Sequence, residues 1–455
     1  MSDAVAIPPA EPVDDGAETE HGFPPPAQQR WTLIILTTLY ALSFLDRQII
    51  SLLVNSIRAD LHISDFQIGL LQGLGFVVLY VFFGLIFGWL ADRFARRSII
   101  FGGVMIWSLA AAGCGLASSF GQLFGARLGL GAGEAALGPA GYSMLADLFP
   151  RRRLATVVSV FSSGSALGAL ASLLIGAGLM AVLPRQGLVL PVLGVTAPWR
   201  LAFILTGLPG LVIALLVWTI REPVRRGRRL ENPTSFMGAL RYVTERWRFY
   251  GALFLALGLM SATGYAAAAW NAAYLMRRFN LSISQTGVLL AATSILPAII
   301  GMVTTGAITD RWFSKGKADA HLWMLMILGG IQIVGVVLAM RAGTALGAAL
   351  LFSISLFFAG YSAIGLAALT MVTPNEFRGQ VSSIMVVCLN LLGLGCGPPL
   401  AGWLATHVYH SDVMIGWAIA STYVIFIPIA ILMLLSARKP MRQAVQETKA
   451  WSGKT

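Results

Sequence analysis

The sequence predicts an all-α integral membrane protein of twelve transmembrane helices in two six-helix halves, with both termini cytoplasmic. Three observations carry this prediction. Hydrophobic residues make up 57% of the 455 and charged residues only 11%, against about a quarter charged in soluble domains. Twelve apolar segments are each long enough to cross a bilayer. The basic residues are distributed unevenly between the loops that would lie on alternate sides.

Taken in order, residues 1–30 form a tail with five acidic residues between Glu11 and Glu20, then Pro24-Pro25-Pro26. It lacks the basic start of a secretory signal and is expected to be disordered. The first half spans 31–220, with apolar segments near 31–55, 66–90, 99–119, 122–146, 154–183 and 199–220. A basic linker, 221–248, separates it from the second half at 249–436, whose segments lie near 249–275, 284–308, 321–340, 345–372, 379–407 and 412–436. A cytoplasmic tail, 437–455, ends the chain. With the N-terminus inside, 24 of the 32 Lys and Arg fall in cytoplasmic segments and six opposite, which fixes the orientation. Topology therefore accounts for the net charge of +12, and nucleic acid is excluded as a partner. Arg225, Arg226, Arg228 and Arg229 are expected to contact anionic lipid.

Two Lys or Arg residues remain, Arg47 and Arg127, and both lie inside spans, as do Asp46 and Glu134. Charge at such depth costs several kcal/mol unless it faces a bundle interior or wet cavity and finds a partner. Arg127 and Glu134, seven residues apart, share a helix face roughly 10 Å apart along the axis, and the same rise sets Asp46-Arg47 at a height between them. The expectation is a small network in one cavity. Asp46 and Glu134 are the proton-coupling candidates. Arg47 and Arg127 are candidate counter-ions, or ligands for an anionic head group that a planar guanidinium fork binds well. A static structural pair is the alternative.

The halves are copies. Gly88-Trp-Leu-Ala-Asp92-Arg93 recurs as Gly306-Ala-Ile-Thr-Asp310-Arg311 at an offset of 218, and Phe149-Pro150-Arg-Arg-Arg153 is echoed by Thr373-Pro374-Asn-Glu-Phe-Arg378. Duplicated halves with deep charge mark secondary transporters. Gly125, Gly129 and Gly133, like Gly164 and Gly168, are spaced for close helix approach. Gly393, Gly395 and Gly397 before Pro398-Pro399 mark a flexible or bent eleventh span. In the second half Tyr265, Trp270, Asn271, Tyr274 and Tyr361 are candidate cavity residues. Ser159, Ser162, Ser163 and Ser165 are weaker ones.

Gly88-x-x-x-Asp92-Arg93-x-x-Arg96-Arg97 resembles the loop signature of the major facilitator superfamily, with Ala95 where that family usually has glycine. The resemblance implies that Asp92, Arg93, Arg96 and Arg97, with Asp310 and Arg311 in the repeat, set the inward/outward balance. Phe44-Leu-Asp46-Arg47, Gly131-Ala-Gly133-Glu134-Ala and Trp199-Arg200-x-x-Phe203 resemble the Spinster branch. That implies flux of lysophospholipid- or sphingosine-phosphate-like amphiphiles, often with proton coupling, and no enzymatic activity. An organic-anion or drug carrier is the alternative within the superfamily, and a non-coupled scramblase or receptor-like protein the alternative outside it. The five histidines show no metal-ligand spacing inside the membrane and no phosphate-cradling loop is present, so no cofactor or metal is expected. The remaining expectations are a monomer in a bacterial inner membrane, with protons and membrane lipids as partners.

Overall fold

A computed structural model describes residues 23–452 apart from 185, 191–193, 226–235, 358, 359 and 375. The acidic part of the N-terminal tail and Arg226, Arg228 and Arg229 lie outside the described residues.

The first half contains α1 (Pro26–Gln48), α2 (Ile50–Leu61), α3 (Asp65–Gln72), α4 (Leu74–Ala91), α5 (Arg96–Leu116), α6 (Phe120–Glu134), α7 (Leu137–Leu148), α8 (Arg151–Val182) and α9 (Pro198–Leu216). A short hairpin, β1 (Leu188–Leu190) with β2 (Gly194–Thr196), precedes α9, and Leu188 pairs with Thr196. The linker holds α10 (Phe236–Glu245). The second half contains α11 (Trp247–Phe279), α12 (Ile283–Ser314), α13 (Ala320–Met340), α14 (Ala345–Phe357), α15 (Tyr361–Val372), α16 (Arg378–Trp403) and α17 (Ile415–Ser452).

Among the described residues, ten helical stretches are long and apolar enough to cross a membrane, two of them the continuous pairs α1–α2 and α3–α4. The fourth and tenth predicted spans are instead each two short helices, α6–α7 and α14–α15. Both predicted tails shorten. Pro26 starts α1 because proline is tolerated in a helix's first turn. At the other end α17 runs to Ser452, held by buried Met441 and Val445 and by Arg438 and Arg442 on Asp319.

The duplication reaches into the loops. His62 ends α2 in the left-handed conformation (φ 51°), and Asn280 ends α11 the same way (φ 53°). Two residues on, Ser64 and Ser282 each form a capping box with Gln67 and Gln285. Gly69 and Gly287 follow. A Cβ on Gly69 would lie 2.5 Å from the Pro398 carbonyl oxygen, and one on Gly287 2.6 Å from that of Leu173. So α3 meets α16 across the halves, and α12 meets α8, through backbones that approach too closely for any side chain.

Helix approach within the first half depends on fewer glycines than the spacing predicts. A Cβ on Gly168 would lie 2.0 Å from the Ala41 oxygen and one on Gly164 2.8 Å from that of Thr37, so α1 lies directly on α8. On α6, Gly133 touches Trp107 and Gly131 touches Phe76, whereas a Cβ on Gly125 would meet nothing within 4 Å. We expect Gly168→Val to cost about 1–3 kcal/mol through overpacking and Gly125→Ala to be neutral. Thermal unfolding of the detergent-solubilised protein, read by size-exclusion profile, checks both.

Candidate functional site: charges at three helix breaks

The second predicted span breaks at Gly73, and milder interruptions of the first and fourth spans, at residues that keep helical angles, lie near it. The first is interrupted only at Ile49, which keeps helical angles and its bond to Leu45, whereas Gly73 leaves helical geometry (φ −103°, ψ −93°). The fourth breaks at Ala135-Ala136, where Ala136 N–H reaches back only to Gly133. A break frees carbonyls at the end of the preceding helix, where the dipole favours a cation. Arg127 supplies it. Its Nε donates to the Leu71 carbonyl at 3.2 Å, and its two Nη atoms donate to the carbonyls of Asp46 and Arg47 at 3.5 Å. Arg127 is fully buried and ties the ends of α1 and α3 together. It makes no ion pair with Glu134 on the same helix face among the described residues, because these nearer carbonyls take its fork.

Glu134 pairs instead with Arg47. Arg47 Nη2 donates to Glu134 Oε2 at 2.5 Å and Nε to the same oxygen at 3.3 Å. The Arg47 guanidinium also lies over the rings of Phe76, Phe44 and Tyr80, at 4.2, 4.6 and 5.1 Å. These are cation–π distances. Two acceptor sites stay open. Glu134 Oε1 and both Asp46 oxygens are buried without a hydrogen-bond partner among the described residues. The Thr206 hydroxyl lies beside Asp46 but donates to the Ala202 carbonyl at 3.0 Å.

The second half contributes tyrosines. Tyr265 packs with Phe76, Val77 and Leu394 and lies within electrostatic reach of Arg47. Tyr361 lies beside Ser261 and near Tyr265. Asn271 is half-buried, its Oδ1 without a partner among the described residues. Two expectations need correction. Trp270 is wholly buried with its indole N–H on the Pro398 carbonyl at 3.0 Å, and buried Tyr274 donates to the Ala339 carbonyl at 3.1 Å. Both hold second-half helices together rather than line a passage. Sequence reasoning missed Tyr40, which stacks on Phe161 and lies near Arg47, Tyr80 and Tyr142, and Tyr142, which bonds Ser162 at 3.2 Å. Helix spacing held the signal: Tyr40, Phe44 and Arg47 share one face, as do Phe76 and Tyr80.

The outer end of the site, in the predicted orientation, is closed by an ion-pair cluster across the halves. Arg277 on α11 makes a bidentate pair with buried Asp65 at 2.7 and 2.8 Å and donates to Asn55 at 2.9 Å. Arg58 pairs with Asp412 at 2.6 Å. A cavity of about 770 Å³ is lined by Ser56, Asp60, Trp199 and Ser282 and by none of Asp46, Arg47, Arg127 and Glu134.

At the opposite end, Arg96 is buried and pairs with Asp147 and, at 2.8 Å, with Glu222. Arg97 N–H donates to the second Glu222 oxygen at 3.0 Å, and Arg93 donates to the Trp89 carbonyl at 3.2 Å. Arg225 bonds the carbonyls of Asp92, Ala91 and Phe94. Asp310 and Arg311 are exposed, and a Cβ on Gly88 or Gly306 would meet nothing within 4 Å. The second half uses the same device with charges exchanged: Asp319, before α13, takes Arg438 at 2.7 Å and Arg442 at 2.9 Å from α17. Burial pushes the Asp319 carboxyl up, but hydrogen bonds from these arginines outweigh it and hold it below the usual range.

Duplicated halves, broken helices at the centre and closure at one end define a transporter architecture. The Major Facilitator Superfamily profile matches residues 36–318 and 253–453, and the chain belongs to that family. It resembles the Spinster branch: it is 26% identical to Protein spinster homolog 1 of Xenopus tropicalis, over 83% of this chain and 73% of that one. It is likewise similar to an MFS-type efflux pump of Mycolicibacterium smegmatis (27%; 85% and 87% covered) and a probable L-galactonate transporter of Escherichia coli (28%; 78% and 79%). Its fold matches that of a bacterial homolog of the human lysosomal transporter Spinster, in an inward-facing and unoccupied conformation. The TM-score is 0.76 with 22% identity, over 94% and 98% of the chains.

Breaking a buried ion pair by removing one partner strands the other charge, at a cost of about 3–5 kcal/mol. Arg277→Gln leaves Asp65 only the longer contact to Arg58 at 3.7 Å and is therefore expected to destabilise the closed outer end by less than that full cost. Spin labels on α2 and α16 should report longer distances than in the parent protein, while labels at the ends carrying Asp92 and Asp310 move closer.

Proposed function

We propose that this chain is a secondary transporter of twelve membrane-crossing segments with cytoplasmic termini, moving an amphiphilic anion by alternating access with proton coupling. We read the outer closure through Asp65–Arg277 and Arg58–Asp412 as an inward-facing state. The observation that carries the reading is Arg47: a buried guanidinium in an aromatic box, paired with a glutamate, beside an aspartate, with one glutamate oxygen and both aspartate oxygens making no hydrogen bond among the described residues.

The chemistry follows. A phosphate or carboxylate head group competes with Glu134 for Arg47. Once displaced, Glu134 is an uncompensated charge in a low-dielectric setting, and taking a proton removes that penalty. Asp46, whose oxygens make no hydrogen bond among the described residues, is the second proton site. Arg127 positions both by holding the ends of α1 and α3, rather than by touching substrate. Tyr40, Tyr80, Tyr265 and Tyr361 offer flat apolar surface for an acyl chain, with hydroxyls for its polar end. The lysophospholipid or sphingosine-phosphate class rests on the Spinster relatives. A second reading, a small sugar acid, is favoured by the relatives named for L-galactonate and hexuronate, since a carboxylate suits Arg47 equally. The cell compartment consistent with these bacterial relatives is the inner membrane, and the working state is a monomer.

The test is flux in proteoliposomes under an imposed pH gradient. Arg47→Gln is expected to lower affinity for the anion by about thirtyfold or more. Asp46→Asn and Glu134→Gln are expected to uncouple flux from the gradient while counterflow persists. Competition by lysophospholipid but not by galactonate favours the lipid reading, and the reverse favours the sugar acid. Flux indifferent to pH in the parent protein and in both carboxylate variants contradicts the coupling and points to a scramblase.

A further inference from the structure

The linker helix α10 has a use that transport itself does not require. Its inner side packs on the second half. Ala239 is fully buried, Val243 nearly so, and the backbone at Gly238 approaches the Phe377 ring. The Tyr242 ring stacks on Phe377 (5.3 Å, 23° between planes), and its hydroxyl donates to the Val372 carbonyl at 3.3 Å. Tyr250 at the start of α11 bonds Thr373 at 2.9 Å. Thus α10 holds the Thr373–Arg378 loop, the second half's echo of the Phe149–Arg153 loop.

The outer side of α10 is amphipathic. Met237, Leu240 and Thr244 lie three and four residues apart on one face, and Met237 is exposed, as is Trp247 where α11 begins. Beside this apolar strip stand Arg241, Arg246 and Arg248, with Glu245 the lone acid. The Arg241–Glu245 pair is largely exposed, so it is worth little and leaves the arginine available. Arg246 lies over the Tyr242 ring at 4.2 Å and is half-buried.

We propose that α10 lies in the membrane's cytoplasmic interface and binds anionic phospholipid head groups through Arg241, Arg246 and Arg248, with Met237, Leu240 and Trp247 entering the acyl boundary. Apolar residues beside clustered arginines match an anionic lipid surface in both charge and polarity. Because Tyr242 grips Val372 and Phe377, lipid on α10 restrains the cytoplasmic ends of α15 and α16.

Hydrogen exchange on the full chain in nanodiscs tests this without any transport readout, so a negative result leaves the transport reading standing. Adding phosphatidylglycerol to neutral discs is expected to slow exchange across 236–248 and 372–378 severalfold. The triple variant Arg241→Gln/Arg246→Gln/Arg248→Gln should match the parent in neutral discs and ignore phosphatidylglycerol. Retained protection in α11 shows that the variant is folded; if it is lost, Arg246→Gln alone is read instead and should show a reduced response. No effect of phosphatidylglycerol on the parent, or an equal effect on the variant, overturns the proposal. Equal slowing by inorganic phosphate in neutral discs overturns it too, since the site would then recognise a free anion and not a lipid surface.

Discussion

The structure turns on a constraint set by the membrane: no charge and no backbone carbonyl can be left there without compensation. Three spans are interrupted near one place, and the carbonyls of Leu71, Asp46 and Arg47 there take a side-chain donor. Arg127 satisfies the carbonyls of two of them, which leaves it unavailable to any carboxylate. That single commitment decides the rest of the site. Arg47 becomes the partner of Glu134, the aromatic rings of Phe44, Phe76 and Tyr80 enclose the pair, and Asp46 is left over. An unpaired buried carboxylate is a standing cost that a protein retains where a proton or ligand removes it.

Around this centre the duplicated scaffold supplies movement. The caps at Ser64 and Ser282 and the close approaches at Gly69 and Gly287 repeat with the same offset, so the outer closure is built symmetrically even though only one half carries deep charge. The cytoplasmic latches are symmetric in place but opposite in sign, Arg96 with Glu222 in one half and Asp319 with Arg438 in the other. Each ties the start of one span to the end of another within its own half. Between the halves, the Asp65–Arg277 and Arg58–Asp412 pairs and the close approaches at Gly69 and Gly287 are contacts that opening the outer end would have to break.

Composition and loop charge made the membrane class and the duplication legible in the sequence, because both follow from patterns along the chain. The sequence also pointed to Asp46, Arg47, Arg127 and Glu134 as one group, and they are neighbours in the structure. Their pairing was not legible. Helix arithmetic places Arg127 and Glu134 on one face, but it cannot see that Leu71, on another helix, offers a carbonyl. The same limit hid the Trp270 bond to Pro398 and the Tyr274 bond to Ala339, which turn two aromatic residues from lining into packing. Gly125 fits a close-approach spacing, yet no neighbour faces it. The repeated Ser-x-x-Gln boxes at 64–67 and 282–285 were readable, and they reinforce the offset found in the loop motifs.

The central claim is that an anionic head group takes Arg47 from Glu134 and that Glu134 then accepts a proton. The infrared difference spectrum on adding substrate to the purified protein reads this at the carboxyl group itself. The account predicts a new carboxylic-acid carbonyl band that is present in the parent and in Asp46→Asn and absent in Glu134→Gln. Saturable binding with no such band, or a band that survives Glu134→Gln, would contradict it.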